Sequence, residues 1–328
     1  MLPEYHFSLL RQRYTSEGDP ELSGDQQIDP DHEIRLSLIN NYKDVFYQKD
    51  NIHDRSLILS GATDKRVFPG SPVCQDFDEK YFYYASSAKN CLYDCEYCYL
   101  KGMYPSSHIV IDVDLTSVFN EVRELLREHP VYLCISYDTD LLALESLTGS
   151  VQEWMDLASN EKDLLIECRT KCARTDLWDI FKPNKSFIFA FTISPQEIIT
   201  GYEHLTPSLN ARINSIQRAM AAGHPVRLCF DPMIYIKDWE NCYGAMIDTL
   251  GDAIDWSGIR DVSIGSFRIS SSYLKKMREL LPESTAVQFP FELENGVYQY
   301  PKYLREKMQS FMINKLSKYI PGNKIFVI

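Results

Sequence analysis

From residue 80 onward the chain alternates short apolar runs with helix-like stretches, a rhythm that limits its possible folds more than any other feature. The runs are "YFYYASS" (81–87), "VYLCISY" (131–137), "DLLIECR" (163–169), "SFIFAFTI" (186–193), "VRLCFDP" (226–232) and "VSIGSFR" (262–268). Between them, "DLTSVFNEVRELLREH" (114–129) opens acidic and ends basic, as a helix dipole favours. "LNARINSIQRAMAAGH" (209–224) ends at Gly223 with Pro225 beyond, a C-terminal helix signal. Strand, helix, strand, repeated, means parallel βαβ units. Periodicity alone admits both an incomplete (β/α) barrel and a doubly wound sheet. No glycine-rich dinucleotide fingerprint follows the first run, which weighs against the second.

The flanks differ. Residues 15–32, "TSEGDPELSGDQQIDPDH", read as an acidic surface loop. "RLSLINNYKDVF" (35–46) has helical spacing, and "NIHDRSLILSG" (51–61) is a short apolar segment. Near the other end, Asn295-Gly296 between alternating residues predicts a type I′ hairpin. "PKYLREKMQSFMINKLSKYI" (301–320) predicts an amphipathic helix, and "KIFVI" a last strand. The expected organisation is an N-terminal extension (1–78), a core (79–285) and a C-terminal hairpin and helix (286–328).

The chain's 328 residues can bury a core without disulfides or a structural metal. No apolar run approaches the ~20 residues that span a bilayer. The start carries no signal-peptide pattern, so the expected location is the cytoplasm and the expected state of the nine cysteines is reduced. Net charge is −12, which argues against a surface coated by nucleic acid but leaves room for a local basic groove.

Six cysteines (Cys74, Cys134, Cys168, Cys172, Cys229 and Cys242) are scattered and read as small buried hydrophobes. Cys91, Cys95 and Cys98 are not scattered: they form Cys-x3-Cys-x2-Cys directly after the first strand. That is the end at which barrel enzymes place their chemistry. A zinc knuckle would want four ligands in a closed shell, and no further Cys-x2-Cys follows. A four-iron cluster held by three thiolates keeps one iron open for a reacting molecule.

Cys-x3-Cys-x-Tyr-Cys resembles the signature of the radical S-adenosylmethionine (SAM) superfamily. The resemblance implies a [4Fe–4S] cluster on Cys91, Cys95 and Cys98, with SAM on the open iron yielding a 5′-deoxyadenosyl radical. It also implies the partial (β/α)6 TIM-type barrel of an α/β protein, with the extension before it and the hairpin and helix after it. "CEYCYL", "TDLLALESLTGSV", "IECRTK", "FAFTIS", "YEHLTPSLNARINSIQRAMAAGHPV", "DPMIYIKDWENCYGAMID" and "FELENGVYQYP" are similar, in order, to the spore photoproduct lyases, DNA-repair enzymes that reverse methylene-bridged thymine dimers. Carried over by position, Tyr97, Thr139, Lys171, Thr192 and Asp231 would hold SAM. Tyr97 and Tyr99 would serve positioning and radical relay. Arg268 and Tyr298 are candidate substrate contacts. The implied partners are damaged DNA and an electron donor such as flavodoxin or ferredoxin.

The pattern breaks at one place. Where the family has a cysteine that returns hydrogen to the repaired thymine, this chain has Tyr137. Tyr137 is then a candidate catalytic residue with Tyr99. Strand alternation predicts that Cys134 points away from Tyr137 and would substitute only with a bulge or a shifted alignment. Two other functions stay open: the same scaffold acting on a different nucleic-acid or small-molecule substrate, and a non-catalytic iron–sulfur or zinc protein.

Overall fold

The computed structural model describes residues 56–61 and 64–328. The acidic stretch 15–32 and the helix expected over 35–46 lie outside the described residues. Six parallel strands stand side by side in chain order: β1 (Phe82–Ala85), β2 (Val131–Cys134), β3 (Leu164–Thr170), β4 (Phe187–Thr192), β5 (Val226–Met233) and β6 (Ile259–Ser266). Chain-order parallel neighbours, linked by helices except between β3 and β4, where a 3₁₀ turn (Asp176–Asp179) makes the crossing, form the partial (β/α)6 barrel, not a doubly wound sheet, whose strand order would reverse. β4, "FIFAFT", is buried at every position, as expected of a strand covered on both faces.

Neither edge of the barrel sheet is bare. Val67–Pro69 pairs antiparallel with β1, and the final strand Ile325–Val327 pairs parallel with β6. Between these edges runs the segment before β1. Its Val73 carbonyl accepts from Arg268 Nε at 2.7 Å at the carboxyl end of β6. Its Phe77 ring lies 3.2 Å from the guanidinium of Arg227 and packs edge-on to Tyr132 and Phe326. The apolar segment near residue 57 forms the strand Leu57–Ser60. It joins Ile109–Asp112 and Ala88–Lys89 in a separate three-stranded sheet.

The connecting helices bury their apolar faces on the strands, and their ends follow local rules. Asp114 caps Leu115–Leu126 through the Ser117 amide. Leu209–Ala221 stops before Gly223, which has φ 83°. The hairpin turns at Asn295 (φ 50°) and Gly296 (φ 80°), both left-handed as a type I′ turn demands. The run predicted as one strand over 262–268 is split. β6 ends at Ser266, and Arg268–Ser270 pairs with the hairpin instead.

The barrel interior is polar at its amino-terminal end. Arg227 forks onto Asp261 and pairs with Glu167; Glu167 also accepts from Tyr132 (2.6 Å) and Cys134 (3.2 Å). Burial raises the Glu167 pKa, but Arg169 and Arg227 outweigh it and hold the carboxyl at about 2. No helix among the described residues is long and apolar enough to cross a membrane.

Candidate active site

The carboxyl ends of the strands converge on the loop that carries Cys91, Cys95 and Cys98. Cys95 is buried and the other two are half-buried. Burial raises all three thiols, Cys91 to about 12. Thiols in such surroundings ionise only when a cation is placed on them. No three His, Cys, Asp or Glu side chains among the described residues focus on a single metal point. A four-iron cluster does not ask for that, because each thiolate takes a different iron.

Asp140 organises the edge of this pocket. It caps the helix Leu141–Thr148 through the Ala143 amide at 3.2 Å. It also accepts from Thr170 Oγ1 at 2.7 Å and from the Lys171 amide at 2.7 Å. The Lys171 side chain is thereby delivered beside Cys95 and Cys98, with its ammonium 5.6 Å from the Tyr97 ring. Burial opposes its charge, but Cys95 (once ionised) and Glu203 outweigh it and raise the Lys171 pKa. Thr139, also buried, has a hydroxyl with no hydrogen-bond partner. A cation facing the thiols and an unsatisfied buried hydroxyl are the groups that a charged amino-acid ligand would complete. The residues therefore fit SAM and the cluster.

Tyr99 donates its hydroxyl to the Tyr137 carbonyl at 2.5 Å. The Tyr137 ring lies under the Arg169 guanidinium at 5.9 Å. Its own hydroxyl has no partner of ordinary hydrogen-bond geometry, but it faces two thiols, Cys74 and Cys134. The expectation for Cys134 is thus corrected. β2 ends at Cys134, so alternation no longer governs residues 135–137, and Tyr137 lies near that thiol. Cys134 is nonetheless fully buried and donates to Glu167.

Cys74, expected to be a small buried hydrophobe, is only half-buried, and sequence reasoning missed its place in the site. It rides on the segment between the sheet edges, beside Arg169, Arg268 and Asp231. Nothing local marks it, since only the closure of the barrel brings residue 74 to the mouth. Asp231 and Arg268 are paired there at 2.7 and 3.1 Å, and Arg169 approaches the same carboxylate at 3.5 Å. A side chain at Gly265 would overlap both, with a Cβ only 2.5 Å from Asp231 Oδ1, so this pair requires a glycine. Thr192 is buried at the end of β4, where its carbonyl accepts from Arg212 at 3.1 Å. Tyr298 stands apart on the hairpin, paired with Ile269 and Leu293 and covered by Arg278.

The spore photoproduct lyase family model matches residues 80–327. The chain belongs to the spore photoproduct lyase family. It is 22% identical over 242 residues to the spore photoproduct lyase of Clostridium acetobutylicum, covering 70% of this chain and 71% of that protein. It is 22% identical over 245 residues to that of Bacillus subtilis, covering 71% of each. A solved spore photoproduct lyase complexed with dinucleoside spore photoproduct superposes with a TM-score of 0.73 at 17% identity, covering 86% of each chain. A doubly substituted one with bound AdoMet and dinucleoside spore photoproduct gives 0.72 at 18% identity, over 83% of this chain and 81% of the other. At these identities the superpositions speak for the barrel fold. The family uses SAM and an iron–sulfur cluster.

Proposed function

We propose that this chain is a radical SAM lyase that splits the methylene-bridged thymine dimer of damaged DNA. The observation that carries the reading is the Cys91–Cys95–Cys98 loop facing the Lys171 ammonium and the unpartnered Thr139 hydroxyl. The three cysteines would hold a [4Fe–4S] cluster. Lys171 would pair with the SAM carboxylate, with Tyr97, Thr139 and Thr192 around it. When bound, the two cofactors supply a carbon radical that takes hydrogen from the substrate. The protein positions them and keeps water away. An electron donor of the flavodoxin or ferredoxin type would serve the cluster.

Splitting the methylene bridge leaves one thymine as a carbon radical, which needs a hydrogen atom. Cys74 is the donor this structure offers: its S–H bond breaks, a C–H bond forms, and the sulfur keeps one electron. Burial holds this thiol protonated, with Arg169 and Arg268 only partly offsetting it, so the hydrogen is present at neutral pH. Tyr137, facing that thiol, can restore the S–H from its own O–H, leaving a tyrosyl radical beside Tyr99. Asp231 and Arg268 do not need to touch a cofactor for this. They brace the mouth and hold the Cys74 segment through Val73.

A second reading, the same radical chemistry on another substrate, is favoured by Tyr137 in the cysteine's place and by the exposed Glu292 and Glu294 of the hairpin. The deciding assay offers the dinucleotide spore-type dimer to anaerobically reconstituted protein with SAM and reductant. Recovered thymines support the lyase. Formation of 5′-deoxyadenosine without repair sinks it in favour of the second reading.

A further inference from the structure

We infer that Glu203 and Arg212 form a buried clamp that positions Tyr97 and the cysteine loop for cofactor binding; the inference rests on the SAM site proposed above. Glu203 stands directly opposite Cys95 in a short antiparallel pair, and the Glu96 amide donates to the Tyr202 carbonyl at 2.8 Å. The segment after β4 is therefore the outer wall of the cysteine loop. The side chains of Glu203 and Arg212 are both fully buried.

The pair joins its own loop to the site. Tyr97 donates its hydroxyl to Glu203 Oε1, and Ser194 donates to the same oxygen at 2.7 Å. Arg212 donates to Glu203 Oε2 and, at 2.7 Å, to Thr206 Oγ1. Its other nitrogens reach the carbonyls of Thr192 (3.1 Å) and Pro207 (3.0 Å). One guanidinium thus ties the end of β4 to the phenol that precedes Cys98.

Stability alone is a poor reason for this arrangement. A buried ion pair is often no better for folding than apolar residues of the same volume. What it provides is direction, because one guanidinium that must reach Glu203, Thr206 and the Thr192 and Pro207 carbonyls at once has a narrow geometry. Tyr97 is fixed at its hydroxyl while the Lys171 ammonium sits over its ring. Its phenolic hydrogen is held by Glu203, so the clamp sets where the Tyr97 ring stands.

The test uses reconstituted holoprotein and three readouts: iron per chain, SAM affinity from the change SAM causes in the reduced cluster's EPR signal, and thermal midpoint. The apolar pair E203L/R212M leaves Tyr97, Ser194 and Thr206 without these partners, so its midpoint should fall, and in protein still folded and loaded with iron SAM affinity should fall about 10- to 100-fold, the usual effect of losing a ligand's supporting contact. Wild-type SAM affinity in that folded variant would overturn the clamp. Should the apolar pair fail to fold, the cycle of Y97F and E203Q decides. Losses that do not add mean the two residues act as one unit, and losses that add mean Glu203 does not work through Tyr97. Wild-type protein that takes up iron but no SAM would overturn the SAM site itself, and this inference with it.

Discussion

The thiol of Cys74 lies near the hydroxyl of Tyr137 at the mouth of the barrel, beside Arg169 and Arg268. The two residues come from opposite sides of β1. One lies on the segment that enters before it, the other on the loop after β2. Together they put two hydrogen-bearing groups at the mouth of the barrel.

Cys74→Ala should still cleave SAM but lose thymine recovery by on the order of tenfold or more, a barrier increase of about 1.4 kcal/mol or greater. In deuterated buffer the wild-type enzyme should place deuterium in the released thymine, because the S–H hydrogen exchanges with solvent. Cys134→Ser should keep that label, and Cys74→Ala should lose it. Label that survives in Cys74→Ala assigns the donor elsewhere.

Cys98→Ala should assemble no cluster and cleave no SAM, measured as iron per chain and 5′-deoxyadenosine. Lys171→Met should keep its iron and bind SAM about tenfold or more weakly, the loss expected for one charge-assisted contact. Reductive SAM cleavage by the Cys98 variant would show that the ligand set is wrong.

The buried carboxylates should set the acid limit of stability. Glu167 and Glu203 are both held at about 2 in the folded chain, against an ordinary value of 4.5; burial pushes each up, and the arginines beside them outweigh it. A depressed carboxylate stabilises fully above its unfolded pKa, and that contribution is lost as pH falls toward the folded value. Urea midpoints should therefore drop between pH 4.5 and 2 and stay flat just above that window. Arg227→Ala, which removes the guanidinium shared by Glu167 and Asp261 and leaves them to Arg169 and Arg260, should cost about 3 kcal/mol at neutral pH. A flat acid profile would contradict the buried pairs.

The acidic surface should show in substrate binding. With a net charge of −12 and a hairpin bearing Glu292 and Glu294, few phosphates can be neutralised. The slope of log K against log salt for lesion-bearing DNA should be shallower than about −3, which corresponds to roughly three phosphate contacts. A slope as steep as −6 would reveal a basic groove that the described residues do not explain.

The sequence by itself determined whatever depends on neighbours in the chain. The βα rhythm, the Asn295-Gly296 turn, the end of the helix at Gly223 and the three-thiolate loop are local patterns, and each stands where its residues predict. Alternation failed at Cys134 and Tyr137 for a local reason too: the strand ends between them. Only the tertiary structure decided which distant groups share the mouth. Tyr97 and Glu203, 106 positions apart, meet because two loops pair outside the barrel. Cys74 meets Tyr137 because the chain before β1 runs between the two edges of the sheet. No periodicity records such meetings, since they follow from barrel closure and from the need of buried charges and hydroxyls for partners.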